Sequence, residues 1–360
     1  MALVRPQEAT FAVVQNSDVW DDALAAAPVG ADGKFEPNTP GLLIPPGQEY
    51  QADDALISAP GRLPFDLANH VPDFSIDSLN ARYDGALWMF IGLFFGTTTA
   101  ITLDQPPATP IGGIHTFTMA DNVDGKQGTL ALDWINAILE LDAFKVTSIS
   151  FTATSGGRLD ISISGQGRRW RNDSILNTST EIAAVTLEGP RHNILFDQLV
   201  ARINLQSAIA LAAGDAICIN SFTLNLDRQM DGPVTTCDAP YRDEPAAPAP
   251  GWVGTIAFDI PRWDTTDLQD AHLSGAVQKM DLIFTGGIIP DGIAGDEESL
   301  VINLPNLTLT GYDFSEQGTI GESITAELGA AGAAPAGMGD INPEFILTNE
   351  RLLATGVYIT

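Results

Sequence analysis

From Phe74 onward the chain alternates apolar and polar residues with a period of two. Ile149, Phe151 and Ala153 alternate with Ser150 and Thr152, and Leu159, Ile161 and Ile163 alternate with Asp160 and Ser162. The pattern returns at Leu199–Leu205, Phe222–Leu226, Ile256–Ile260 and Leu300–Leu304. Successive strand side chains point to opposite faces, so each run predicts an antiparallel strand with one buried and one polar face. Asp-Gly pairs beginning at Asp32, Asp84, Asp124, Asp231 and Asp291 mark turns between them. Helical spacing is scarce. Ala86–Phe95 is apolar all round and predicts a buried helix, with Asp84 placed to cap it and Gly96 to end it. Thr265–Lys279 predicts a second, weaker helix, with Asp267 near its start. Before residue 65 the apolar pieces are broken by Pro28, Pro37, Pro40, Pro45, Pro46, Pro60 and Pro64, which reads as an extended arm and loops.

A faint repeat underlies this order. Phe74-Ser-Ile-Asp-Ser-Leu with Arg82-Tyr-Asp-Gly85 returns loosely as Phe222-Thr-Leu-Asn-Leu with Arg228-Gln-Met-Asp-Gly232, about 148 residues later. Val146–Phe151 has a counterpart in Leu304–Leu309, whereas the helix candidates do not keep the offset, so insertions differ between the copies. The expected organisation is a duplicated, mainly β chain. Residues 1–188 form a first unit with its Pro-rich arm, and 189–360 a second with a Pro-rich insertion at 232–251 and a C-terminal arm. Two copies of one unit in a chain halve the number of chains that close a ring.

Charge changes the picture. The net charge is −29, from 17 Lys+Arg against 46 Asp+Glu, yet only 18% of residues are charged and 44% are hydrophobic. The acids stand singly within core-forming sequence and not in the blocks of a solvated tail. Such a balance excludes binding nucleic acid by phosphate neutralisation and fits a surface that phosphate must not adhere to. Cys218 and Cys237 have no metal or redox spacing and read as plain thiols. The N-terminus lacks a signal-peptide pattern, and the longest apolar stretch, Ala86–Phe95, is too short for a membrane helix, so a soluble chain made in the cytoplasm is expected.

Catalytic constellations are missing from the pattern: His70, His115, His192 and His272 lie far apart, with no HExxH or GxSxG. Gly165-Gln-Gly167-Arg-Arg-Trp170 lacks the third glycine of a dinucleotide loop and follows a strand without leading into a helix. Asp121-Asn-Val-Asp124-Gly125 reads as a turn, because Val123 and Gly125 offer no side-chain oxygen at the calcium-ligand positions. No catalytic, cofactor-binding or metal residue is nominated, and no cofactor is expected. The basic cluster Arg158, Arg168, Arg169 and Arg171 reads either as a solvated hairpin end or as an inter-subunit patch meeting Asp296, Glu297 and Glu298 of a neighbour.

Several segments together resemble the tail tube (major tail) proteins of long-tailed, non-contractile bacteriophages. They are Ser78–Gly85 with the buried helix, Lys126–Asp133, Lys145–Phe151, Gly156–Ile161, Asn177–Thr180, Val200–Asn204 and Ser221–Arg228. The match is one of pattern and order over roughly residues 70–320. The resemblance implies antiparallel β-sandwich units, each flanked by a short helix, whose strands join those of neighbours into a barrel around a channel. It implies a non-enzymatic virion subunit whose partners are copies of itself and other tail proteins at the tube ends, with DNA passing through without specific binding and no membrane. Two units per chain imply homotrimeric, pseudo-hexameric rings; a decoration domain in the second half would imply homohexameric ones. Two further readings stand beside it. One is a carbohydrate-binding β-sandwich, for which Trp20, Trp170, Trp252 and Trp263 are available; the other is a carboxylate-dependent glycoside hydrolase.

Overall fold

The computed structural model describes residues 11–17, 33–35, 47–51, 66–71, 73–85, 87–102, 112–123, 125–133, 138–171, 175–185, 192–230, 251–289, 296–316 and 320–350, with only the backbone course up to residue 71. Most of the expected N-terminal arm, Cys237 and nearly all of the 232–251 insertion lie outside these residues.

The chain is mainly β. In order it forms β1 (Phe11–Ser17), β2 (Gly33–Phe35), β3 (Gly47–Gln51), β4 (Asp66–Val71), β5 (Asp73–Asn80), helix α1 (Leu87–Phe95), β6 (Gly96–Thr102), β7 (Gly113–Met119), β8 (Gln127–Asp133), β9 (Ile138–Thr154), β10 (Asp160–Gly167) and β11 (Trp170–Arg171). Then come α2 (Ser179–Ala184), β12 (Leu199–Leu205), β13 (Ala216–Ile217), β14 (Ser221–Asp227), β15 (Val253–Ile260), α3 (Asp267–Ser274), β16 (Gln278–Ile288), β17 (Glu297–Glu316), β18 (Ile320–Leu328) and β19 (Glu344–Asn349). The alternating runs read from the sequence all lie on strands.

Seven strands pair in the order β5–β10–β9–β14–β15–β18–β17, and all six junctions are antiparallel. We call this sheet I. The long strands β9 and β17 leave it at their first halves. There β9 carries β8 and β11, with β1 and β2 beyond β8. The first half of β17 carries β16 and β19, with β12 and β13 beyond β16, and β7 and β6 beyond β19. The core lies between sheet I and these outer ladders. Phe151 of β9 meets Phe345 of β19 at 5.1 Å, and Phe222 of β14 meets Phe284 of β16 at 6.2 Å. Helix α1 fills the same core: all nine of its residues are buried, and Phe90 lies against Phe74 and Phe144.

The end of α1 follows from local chemistry. Gly96 takes φ +80°, which an L side chain adopts at a penalty, and a Cβ there would sit 2.7 Å from the Val123 side chain. The last carbonyls then need donors, because a buried helix end without partners is unstable. Arg228, just past β14, supplies them to Phe94 O at 2.7 Å, Phe95 O at 3.0 Å and Ala120 O at 2.8 Å. Burial pushes the Arg228 guanidinium down to about 10, which still leaves it charged at neutral pH. Helix α3 is shorter than the expected Thr265–Lys279. Gly275 turns left-handed at φ 65°, its N–H closes onto Ala271 O and His272 O, and Gln278 already belongs to β16.

Strand order shows an internal recurrence. β5–β10–β9 has the neighbour relations of β15–β18–β17. β5 and β15 are both eight residues long and start 180 positions apart, and so do α1 and α3, which follow them. The offset of about 148 therefore slid by one strand. It matched β5 to β14, whereas the strand occupying the place of β5 is β15. The physical reason is that β5 and β14 are both one-sided strands, and alternation reports which face is buried without reporting the neighbours. At the structural offset the connecting turns also agree, as Arg82-Tyr83-Asp84 and Arg262-Trp263-Asp264.

Candidate functional surface: the polar face of sheet I

The outward positions of sheet I form a continuous carpet of short polar side chains. Ser148, Ser150, Thr152 and Thr154 of β9 lie beside Ser162 and Ser164 of β10 and beside Ser221, Thr223 and Asn225 of β14. Hydrogen bonds cross the strands: Ser150 Oγ donates to Asn225 Oδ1 at 2.7 Å, and Ser221 Oγ donates to Asp259 Oδ2 at 2.7 Å. Acids punctuate this face at Asp73, Asp77, Asp160, Asp227, Asp259, Asp313 and Glu327. Among the described residues, the one lysine or arginine on these strands is Lys145, which stands opposite Gln166 on the face that carries Asp73. Lys145 of β9 is buried, and Arg158 stands in the β9–β10 turn at the rim. Partial burial pushes the Asp160 carboxyl up while Arg158 pulls it down. Strands whose exposed charges are all acidic offer no exposed cation to hold a phosphate.

Among the described residues, sheet I is open at both edges. β5 pairs on one side only, with β10, among the described residues. β9 is flanked by β8 and β10 at Phe144, and beyond that point β14 continues on the side of β8, along Ser148–Thr154. β17 is flanked by β16 and β18 at Leu307, and beyond that point the side of β16 has no strand among the described residues. Aromatic rings cluster near this edge. Trp263 meets Phe314 at 5.4 Å, Phe314 meets Tyr312 at 5.4 Å, and Tyr312 stacks on His272 at 6.1 Å. Trp263 is 39% exposed, Phe314 47% and Ile320 52%, which is high for side chains of this size and type. A cavity of about 880 Å³ adjoins the turn, lined by Ile260, Arg262, Asp267 and Leu268 on one side and Ile203 and Ile217 on the other.

The sequence-derived basic cluster is brought together around an acid of its own chain. Asp142 on β9 is buried, with Arg169 Nε at 3.2 Å, Arg171 Nε at 3.7 Å and Arg168 Nη1 at 3.9 Å. Burial pushes the Asp142 carboxyl up to about 6 against the pull of Arg169 and Arg171. Arg168 is itself buried, and Arg158 lies apart from this group in its own turn. The three consecutive acids expected to meet the cluster differ in exposure. Glu297 is exposed and Asp296 half-buried, whereas Glu298 is buried and lies 2.8 Å from His192 Nδ1. That contact raises the His192 pKa. Within the chain, Asp142 thus offsets part of the cluster's charge, with Arg168 buried, Arg169 and Arg171 half-buried and Arg158 exposed.

Sequence reasoning did not find the open edge or the aromatic ladder. The signal that carries them is the recurrence of Arg-aromatic-Asp at 82–84 and 262–264. No known protein family matches the chain, and no characterised protein is significantly similar to it in sequence.

Proposed function

We propose that this chain is the structural subunit of a tube, self-assembling into stacked rings whose channel is walled by the polar face of sheet I. The reading is that of a tail tube protein of a long-tailed, non-contractile phage, conducting DNA during ejection. The observation that carries it is an acid-studded sheet face without an exposed cation, on a sheet whose two edges are open among the described residues. Open edges are templates for further strands, and a closed barrel removes them. The acidic wall repels the phosphates of DNA, so the polymer slides without adhering. The recurring strand order supports two tube units per chain and hence three chains per ring.

Electron microscopy of the purified full chain tests this. Hollow rings or tubes with threefold end-on views are expected, whereas compact monomers at every concentration would overturn the reading. A carbohydrate-binding module is the second reading, favoured by the exposed Trp263–Phe314 pair beside the cavity. It requires saturable binding of an oligosaccharide by the monomer, with loss of binding in Trp263→Ala.

A further inference from the structure

The two Arg-aromatic-Asp turns occupy equivalent places, after β5 and after β15, yet their surroundings are opposite. The first is enclosed by the second half of the chain. Tyr83 is fully buried, its N–H reaches His192 O at 3.2 Å, and its hydroxyl donates to Gln198 Oε1 at 2.9 Å. Its ring lies so close to Gly286 of β16 that a Cβ there would fall 2.5 Å from it. Asn349 Nδ2 donates to Tyr83 O at 2.8 Å, and Arg82 Nε reaches Asn193 Oδ1 at 3.4 Å. The second turn has no such cover among the described residues. Arg262 and Asp264 pair with each other at 2.8 Å with side chains 77% and 64% exposed, and Trp263 rests on Phe314 alongside Ile320.

The strand edges repeat this asymmetry. The edge of β9 beyond Phe144 is occupied by β14, a strand of the second half, whereas the equivalent edge of β17 beyond Leu307 carries no strand among the described residues and is touched there by α3, with His272 Nδ1 3.0 Å from Leu309 O. What the second half does for the first, nothing within the described chain does for the second.

We infer that the Trp263 turn and the free edge of β17 form one docking surface for the amino-terminal half of a second copy, with β3 of that copy lying antiparallel along β17. This deepens the tube reading and rests on it. Strand direction selects β3. Six antiparallel junctions leave the two edge strands of sheet I, β5 and β17, running the same way. Direct closure between copies would then be parallel, and one more strand restores alternation. β14 plays that part inside the chain: it precedes β15, pairs antiparallel with it, and lies on β9. β3 has the matching position in the first half. It pairs antiparallel with β4, and only Pro72 separates β4 from β5, too short a link to reverse the chain. Within one copy, β3 and β4 stand as a separate two-stranded sheet. An exposed aromatic at the centre of the surface then serves as the anchor, as buried Trp and Tyr do in most interfaces.

The test uses the full chain and three readouts: association by analytical ultracentrifugation, backbone hydrogen exchange, and interchain cross-links located by mass spectrometry. The wild type is expected to associate, with amides of residues 308–316 slowed at least about tenfold on assembly and cross-links from this stretch to residues 47–51. Trp263→Arg and Phe314→Glu, both at exposed positions, are expected to keep the monomer's melting temperature and weaken association by about thirtyfold or more. Association with β17 amides unchanged, or with both variants assembling like wild type, overturns this inference and leaves the tube reading standing. Cross-links from β17 to a different segment overturn β3 as the occupant. A wild type that stays monomeric throughout overturns both.

Discussion

Helices α1 and α3 start 180 residues apart after equivalent strands, yet one is a core element and the other a surface one. α1 is apolar on every side and wholly buried, whereas α3 buries only Leu268 and Ala271 and exposes Leu273 at 75%. The difference does not lie in the local fold, since both helices follow a turn of the same type. It lies in what arrives from elsewhere. α1 receives Phe117 of β7 against Trp88 and Arg228 at its C-terminus. α3 packs on β17, where His272 Nδ1 meets Leu309 O at 3.0 Å, and its other side borders the cavity that Ile203 and Ile217 also line. The two recurring strand–turn–helix segments thus differ in composition according to their cover. An exposed apolar residue on the second copy is informative when its counterpart on the first is buried.

The sharpest way to break the comparison is to empty the first core. Trp88→Ala removes a fully buried ring that lies 5.9 Å from Phe117 and donates through Nε1 to Arg82 O at 2.9 Å. A loss of about 4 kcal/mol is expected in urea unfolding, from the transfer and cavity terms together. The equivalent Leu268→Ala on α3 should lose clearly less, because that site borders a cavity and has less packing to forfeit. Equal losses at both sites would show that the helices are supported alike. Next in size is Arg228→Met, which leaves the carbonyls at the end of α1 without their donor; about 3 kcal/mol is expected.

A pH test separates the outer ladders. Asp142 titrates at about 6 in the folded chain against an ordinary 3.8, because burial outweighs Arg169 and Arg171. Between these values the folded chain keeps a proton that the unfolded chain has released. Its contribution therefore favours folding at low pH, falls as pH rises from about 4 to 6, and is level above that. Asp142→Asn should flatten this part of the profile relative to wild type in melts taken from pH 4 to 7. A variant profile parallel to wild type would refute the assignment. Asp281 of the second ladder is instead held by Arg202, whose Nε donates to it at 2.9 Å, and that hydrogen bond raises the arginine's pKa.

β5, β9, β10, β12, β14, β15 and β17 were legible in the sequence because alternation is a local property, and Gly96 was legible as a helix end because it follows an unbroken apolar run, whereas β1–β3 lie in the segment read as arm and loops and β16 starts inside the expected second helix. What pairs with what was not legible. Arg168, Arg169 and Arg171 look uncompensated in sequence, since Asp142 reaches them only through the β9–β11 pairing and the turn before it. The repeat slid by a strand because Phe74 and Phe222 both open a one-sided strand. The polar face of sheet I was foreseen as scattered acids. That it exposes no cation became visible only when the register assembled the outward positions and the fold buried Lys145.

The two helix ends give the smallest and most discriminating prediction. Gly96 and Gly275 both take positive φ, at +80° and +65°, so alanine at either should lose about 1 kcal/mol from conformation alone. Their surroundings differ. A Cβ at Gly96 meets Val123 at 2.7 Å and Ala120 at 3.0 Å, inside a packed corner that Arg228 also holds, whereas a Cβ at Gly275 meets nothing within 4 Å. Gly275→Ala should therefore show the conformational loss and no more, and Gly96→Ala should exceed it by about 1–3 kcal/mol of overpacking. Both follow from melting temperatures of the monomer. If the two losses are equal, the Gly96 corner yields freely, and the tight cover that separates α1 from α3 does not extend to the helix end. If Gly275→Ala is the more damaging of the two, the end of α3 is held by a contact beyond the described residues, and α3 is less exposed than α1's example makes it appear.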